Sequence, residues 1–379
     1  MKIMQVVTLV SDSGAFGGPL RVALNQTKEL RDRGHHVQLL AGWCGRGSPP
    51  AEVDNVRLEA FSAFSIVPWA GFSGLHSSGL QRAIRRNLRS TDVVHVHAGR
   101  DLTSLLALYA VIRNSVPTLV QTHGMIAIDK RIKARIIDAL AVRCLVGEAR
   151  FKLVLTEDEE AELSSVLRSR SGIRRLRNGV PLPAAMATEY SEVNVLFCAR
   201  LQARKRPMAF VQMAADVSRI YPEVTFSIVG PDEGSLDDVI TEINRLGLSS
   251  RIRYEGALTY DAVLKRMRKA SIYVLPSVNE PFPMSLLEAL SLGLACICTD
   301  SCGIAPVLQE RGAALVTDGS RGQLTQACIR LLEDPGVRRN LGGAARKAVT
   351  EAFSMNAVAN RLESLYLEAC TDRATLHGR

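Results

Sequence analysis

Two glutamates, Glu280 and Glu288, stand eight positions apart in the stretch NEPFPMSLLEALSLG (279–293). The first is followed by Pro281 and Pro283, which bias the chain towards extended and first-turn geometry and predict a helix that begins near 283–285. Ser285 and Glu288 fit a capping box, which accounts for the second glutamate as a purely structural residue. That leaves Glu280 without a folding role. In a loop just ahead of a helix N-terminus, Glu280 would accept hydrogen bonds from hydroxyl groups. The first-turn amides around Met284, Ser285 and Leu286, after Pro283, would favour an anion such as phosphate. Glu288, one turn in, would accept both hydroxyls of a ribose. A sugar, a pyrophosphate and a ribose in that order make up a nucleoside-diphosphate sugar.

Two glycine- or arginine-rich turns carry further candidates. In CARLQARKRP (198–207), Arg200 and Lys205, with Arg204 and Arg206 beside them, come where an apolar strand ends and a helix begins. Such a run is either a solvated basic turn or a clamp on a diphosphate, neutralising charge that grows on a phosphate leaving group. In SGAFGGPLRVALNQTKEL (13–30), Gly14, Gly17 and Gly18 let the backbone approach a ligand, and Pro19 suits a first helical turn. The spacing is neither G-x-G-x-x-G nor a P-loop, and a plain tight turn explains it equally well. The cysteine cluster CICTDSC (296–302) has no CxxC and no neighbouring histidine, so we read Cys296, Cys298 and Cys302 as small buried residues and expect no metal there.

The composition limits what such residues can serve. The chain has 379 residues, 47% hydrophobic and 22% charged, which suits two soluble domains with real cores. No apolar run reaches the ~18 residues that span a bilayer. MKIMQVVTLV leads into glycine-rich sequence without a cleavage pattern, so it reads as a buried first strand and not a signal peptide, and we expect a cytoplasmic protein. The net charge of +9 is spread over separate arginine clusters, and only 5% of residues are aromatic. Phosphates or an anionic membrane face therefore fit better than nucleic acid, for which no recognition module is present. The segments DKRIKAR and IIDALAVR (129–143) read as a solvated helix face or as a basic amphipathic face for peripheral contact with anionic lipid.

The elements that must position these groups alternate regularly. IMQVVTLV, HVQLLA, DVVHVH, PTLVQTH and FKLVLT read as strands, each followed by a helical stretch, the first at about 19–33. After a proline-rich break at 178–192 the pattern restarts with VNVLFCAR, VTFSIVG, RIRYEGAL, SIYVLPS, LACICTD and AALV. Continuous apolar strands separated by helices predict parallel sheets covered on both faces. We expect α/β architecture of two Rossmann-like doubly wound domains, 1–180 and 181–353, with an amphipathic segment at 354–370 packing back on the first. Ligands of such folds bind beyond the carboxyl ends of the strands, and a cleft between the domains is the expected site.

With these motifs assembled, EPFPMSLLE resembles the E-x7-E signature of retaining glycosyltransferases of the GT-B fold, above all glycosyltransferase family 4. GGPLRVALNQTKELRDRGHHV resembles that family's N-terminal glycine loop and helix. ARLQARKRP resembles its G-R-L-x-x-x-K-G phosphate segment, and RIRYEGAL and SIYVLPSVNEPFP resemble the stretches before the signature. The likeness covers nearly the whole chain. It implies that the first domain takes the acceptor and the second the nucleotide sugar, UDP- or GDP-linked. Arg200 and Lys205 would bind the diphosphate, Glu280 the donor sugar and Glu288 the ribose, and Gly18 would approach the phosphates or the acceptor. His123, in QTHG, matches the active-site histidine near the anomeric carbon, and Tyr254 lies where the nucleobase is expected. The resemblance further implies retention of anomeric configuration, no metal or other cofactor, and a saccharide, lipid-linked or small-molecule acceptor, in envelope polysaccharide, glycolipid or glycoside synthesis. Ala199, the pair Arg206-Pro207 and Pro281 stand where the family usually has glycine. An epimerase on the same scaffold and a non-catalytic basic binding protein are the competing readings.

Overall fold

The computed structural model describes residues 1–11, 17–183 and 193–377. The chain divides into two compact units, 1–179 together with 355–379, and 180–354.

The first unit is built on seven parallel strands: β1 (Lys2–Val10), β2 (His36–Trp43), β3 (Glu59–Ser62), β4 (Val93–His97), β5 (Thr118–Gln121), β6 (Phe151–Val154) and β7 (Ile173–Arg175). Past Lys2 every side chain of β1 is buried, as a strand covered on both faces requires. The spatial order is β7-β6-β5-β4-β1-β2-β3, so the winding reverses between β1 and β4. The edge strands β3 and β7 were not among the expected ones. EAFS is only partly buried and IRR is three residues long beside further arginines, so neither shows the apolar run of a central strand.

Helix α1 (Gly17–Asp32) follows β1, two residues ahead of the expected start. Helix α2 (Leu102–Ile112) is capped by Asp101, whose carboxylate accepts from the Ser104 amide. Segments Ile132–Ile137, Asp138–Val142 and Arg143–Glu148 run on as one helix, α3, with a π turn in the middle. Helix α4 (Glu157–Leu167) has Thr156 as its cap and four acidic residues in its first turn, which complement the helix dipole. The last helix, labelled α7 below (Met355–His377), belongs to this unit. Its Leu362, Leu365 and Tyr366 pack with Ile3, Val93, Leu119 and Phe151.

The second unit has six parallel strands: β8 (Asn194–Cys198), β9 (Thr225–Val229), β10 (Ile252–Tyr254), β11 (Ile272–Leu275), β12 (Ala295–Thr299) and β13 (Leu315–Thr317). Their order, β10-β9-β8-β11-β12-β13, reverses between β8 and β11. Helices α5 (Pro207–Ile220) and α6 (Met284–Ser291) follow β8 and β11. Phe197, Phe210 and Phe226 pack in its core, the first pair tilted and the second edge-to-face, centroids 5.7 and 6.1 Å apart. Most of the proline-rich break, residues 184–192, lies outside the described residues.

Candidate active site

In a doubly wound sheet the loops beyond the reversal point diverge and leave a crevice at the carboxyl ends. In the second unit those loops follow β8 and β11, and they carry Lys205 and Glu280. The Lys205 ammonium lies 2.6 Å from Glu280 Oε2, with both side chains buried. Burial pushes the Lys205 pKa down from its ordinary value, and the Glu280 carboxylate opposes that. Arg204 adds a second, more exposed cation, its Nε 4.0 Å from the same oxygen.

Each loop is fixed from several sides. The Val278 amide donates to the Arg204 carbonyl at 2.9 Å, joining the two loops directly. The Gly303 amide donates to the Glu280 carbonyl at 2.9 Å, and Glu280 forms an isolated bridge with Cys302. The cysteine cluster thus lies on β12 and just past it as buried thiols, and the backbone at Cys302 and Gly303 helps seat Glu280. Among the described residues no group of three or more His, Cys, Asp or Glu is arranged to hold a metal ion.

Arg206 takes a left-handed φ of 53° at the end of the basic turn. Its guanidinium donates to the carbonyls of Gly319 at 2.9 Å and Pro276 at 3.4 Å. It therefore braces the turn and leaves Lys205 and Arg204 to face Glu280. Arg200, half-exposed, is paired with Glu233 at 2.8 Å. Glu233 reaches it because the loops after β8 and β9 zip together through Leu201. Gly230 makes that approach possible: with φ 145°, a Cβ there would come within 1.9 Å of the Ala199 carbonyl.

The capping-box expectation fails. Pro283, not Ser285, is the N-cap of α6, and no side chain caps the helix. Ser285 instead meets the Tyr273 hydroxyl at 2.8 Å, and Tyr273 also lies 3.0 Å from the Cys198 carbonyl, so helix and β8 are tied together. With no cap, the Met284, Ser285 and Leu286 amides open the helix at the carboxyl rim. Glu288 is buried one turn in. Tyr254 stands at the end of the edge strand β10, its hydroxyl donating to the Gly230 carbonyl at 3.0 Å.

In the first unit, Gly17 and Gly18 open α1, and a Cβ on Gly18 would meet nothing within 4 Å; Gly14 lies outside the described residues. His123 follows β5 in left-handed conformation, φ 52°. Glu159, buried at the start of α4, holds that strained turn. Its carboxylate accepts from the Thr122 hydroxyl and the Gly124 amide at 2.5 Å each, and from the Leu155 amide at 2.7 Å. Burial raises the Glu159 pKa above its usual value while these bonds pull it down.

His123 is also held from the side. Its Nε2 lies 2.8 Å from Nδ1 of His97, the rings stacked 5.1 Å apart. His97 stacks on His95 at 4.6 Å, and His95 Nδ1 meets the Tyr366 hydroxyl of α7 at 2.9 Å. Burial pushes His95 and His123 down to about 3 and His97 well down, so all three rings are neutral at ordinary pH. Sequence reasoning singled out neither His97 nor Glu159. The first lies inside a strand and the second inside the acidic first turn EDEE of a helix, and neither belongs to a motif that the sequence marks.

The sequences of both units match known families. Residues 17–179 match the glycosyl transferase 4-like domain, and residues 188–348 match the glycosyl transferases group 1. The chain belongs to the family 4 glycosyltransferases. Its fold is GT-B: Anabaena HepE in complex with UDP superposes with a TM-score of 0.75 at 16% identity, over 97% of this chain and 100% of that one. Among curated relatives, N-acetyl-alpha-D-glucosaminyl L-malate synthase of Bacillus anthracis is 22% identical, aligned over 94% of this glycosyltransferase and 96% of the relative. UDP-Gal:alpha-D-GlcNAc-diphosphoundecaprenol alpha-1,3-galactosyltransferase of Escherichia coli is 23% identical, over 74% and 76% respectively. Within this glycosyltransferase, Lys205, Glu280 and the first turn of α6 gather at one rim, Arg200 follows the same strand as Lys205 but is paired with Glu233 of the loop after β9, and Tyr254 stands two strands away. Among the described residues no helix is long and apolar enough to cross a membrane.

Proposed function

We propose that this glycosyltransferase is a cytoplasmic, retaining enzyme that moves a sugar from a nucleoside-diphosphate donor to an acceptor hydroxyl without a metal or other cofactor. The observation that carries the proposal is the buried Lys205–Glu280 pair beside the uncapped first turn of α6. A buried ion pair is a poor device for stability, since apolar replacements often do as well. It suits a site that handles charge and hydroxyls at once. In this reading Lys205, with Arg200 and Arg204, takes the diphosphate and stabilises the charge that grows on the leaving phosphate. The α6 amides share that load. Glu280 accepts from sugar hydroxyls, Glu288 from the ribose, and Tyr254 marks the side where the base lies.

In the first unit, which we assign to the acceptor, Gly18 leaves room for a close approach and His123 is the candidate for a group acting at the transferred sugar. A neutral imidazole held by His97 donates or accepts a hydrogen bond without a charge of its own. No carboxylate is required as base when the leaving phosphate takes the acceptor proton on the same face of the sugar, and positioning with charge stabilisation then supplies the rate.

HepE was crystallised with UDP, and the Escherichia coli relative is named for UDP-Gal, so a uridine donor is tested first, then GDP, ADP and TDP. A nucleotide at 100 times its Kd raises stability by about 2.7 kcal/mol, readily seen as a melting shift. Stabilisation by one nucleotide that disappears in Glu288→Ala supports the reading. No shift with any of them overturns it. Product with inverted anomeric configuration would overturn retention alone.

A further inference from the structure

The face of α3 that points away from the core is apolar. Ile132, Ile136 and Leu140 recur every four residues and are 73, 51 and 78% exposed, and Ile128, just ahead of the helix, is 59% exposed. Folding does not need them. The opposite face of the same helix, Ala134, Asp138, Val142 and Val146, is already buried, and Ile137, Ala141 and Leu145 pack partly against the core. A surface helix ordinarily presents polar side chains where this one presents aliphatic ones.

Cations border the stripe. Lys130, Arg131, Lys133 and Arg135 are all exposed. At about 100° per residue, Lys133 falls to one side of Ile132 and Arg135 to the other, and Arg131 precedes the first turn. Of the acids nearby, Asp129 pairs with Arg131 at 2.6 Å and Asp138 is buried against Arg100 at 2.7 Å. We propose that α3 lies in the interface of an anionic lipid bilayer, its aliphatic stripe inserted at the acyl boundary and its flanking cations on the lipid phosphates. The charge pattern favours this occupant, because long cations on both sides of a narrow aliphatic row fit a plane of phosphates. A protein partner would ordinarily be met by aromatic anchors, which the stripe lacks.

The docking itself stands apart from the donor assignment. Its corollary rests on the transferase reading: Ile128 is five residues past His123, at most about 18 Å along the chain, so a lipid-borne acceptor would be presented near the His123 rim.

The test is flotation of the full chain with vesicles of phosphatidylcholine, alone and mixed with phosphatidylglycerol. We expect binding to the mixed vesicles at low salt, weakened at high salt, and little binding to phosphatidylcholine alone. The triple variant Ile132→Ser, Ile136→Ser, Leu140→Ser should bind about tenfold more weakly or worse, with an unchanged melting temperature. Lys133→Glu with Arg135→Glu keeps the stripe and should also lose binding. No binding of the parent protein to the mixed vesicles would overturn the proposal, as would full binding by the triple variant. A dimer in sedimentation that the triple variant splits would assign the stripe to a second copy and equally overturn it.

Discussion

Lys205 and Glu280 meet at 2.6 Å beyond the ends of two neighbouring strands, β8 and β11, and both are buried. Removing one partner strands the other charge away from water, at about 3–5 kcal/mol, whereas removing both leaves no orphan. Lys205→Met and Glu280→Met should each lower stability by that order in urea denaturation, and the double variant should recover most of it. All three should lose about 100-fold or more in turnover. A double variant as unstable as the sum of the singles would mean that the pair is not what couples these loops.

Arg206 tests the strain in the same turn. Arg206→Ala loses the guanidinium bonds to Gly319 and Pro276 and keeps the left-handed backbone. Arg206→Gly loses the same bonds but relieves about 1 kcal/mol of strain. The glycine variant should therefore be the more stable of the two by about that amount in urea denaturation. Equal stability would mean that the backbone relaxes out of the left-handed region once the side chain is gone.

Glu159→Ala would leave the Gly124 and Leu155 amides without their acceptor, and the Thr122 hydroxyl with only the Leu153 carbonyl at 3.5 Å. Each buried group left unpaired costs about 1–3 kcal/mol. We expect loss of stability together with a fall in turnover, because the turn that aims His123 is no longer held. Normal turnover in a destabilised Glu159→Ala protein would exclude His123 from the reaction or show that His97 alone aims it.

The histidine column predicts acid sensitivity. His95 and His123 sit at about 3 in the folded protein, against about 6.5 in an unfolded chain. Below about 6.5 the unfolded chain takes up protons that the folded one refuses, so stability is complete above that pH and is lost as pH falls towards 3. Each ring contributes up to about 1.4 kcal/mol per pH unit in that window. Melting temperature should drop between pH 7 and 5, and His95→Gln should flatten the drop. A flat profile in the parent protein would mean that water reaches these rings.

Local pattern was enough for the parallel sheets and for most of their strands, because a strand buried on both faces must be apolar along its length. It also pointed to the rim, since ligand-facing loops of doubly wound sheets follow strands: Arg200, Lys205, Glu280 and His123 all lie in the segment between a strand and the next helix. It misled at Ser285, where a serine three residues before a glutamate imitates a capping box. Only the fold shows that the Tyr273 hydroxyl claims that side chain.

The partners of the candidate residues come from far along the chain, and no spacing announces them. Glu280 lies 75 residues from Lys205, Glu159 accepts from residues 35 and 37 positions away, and Tyr366 is 271 residues from His95. The sequence by itself determined which side chains could carry charge or accept a hydroxyl, and that strands would deliver them to a rim. Tertiary structure decided which charges are buried, which are neutralised and which imidazoles stay uncharged, because desolvation and pairing depend on what packs around a group and not on its neighbours in the chain.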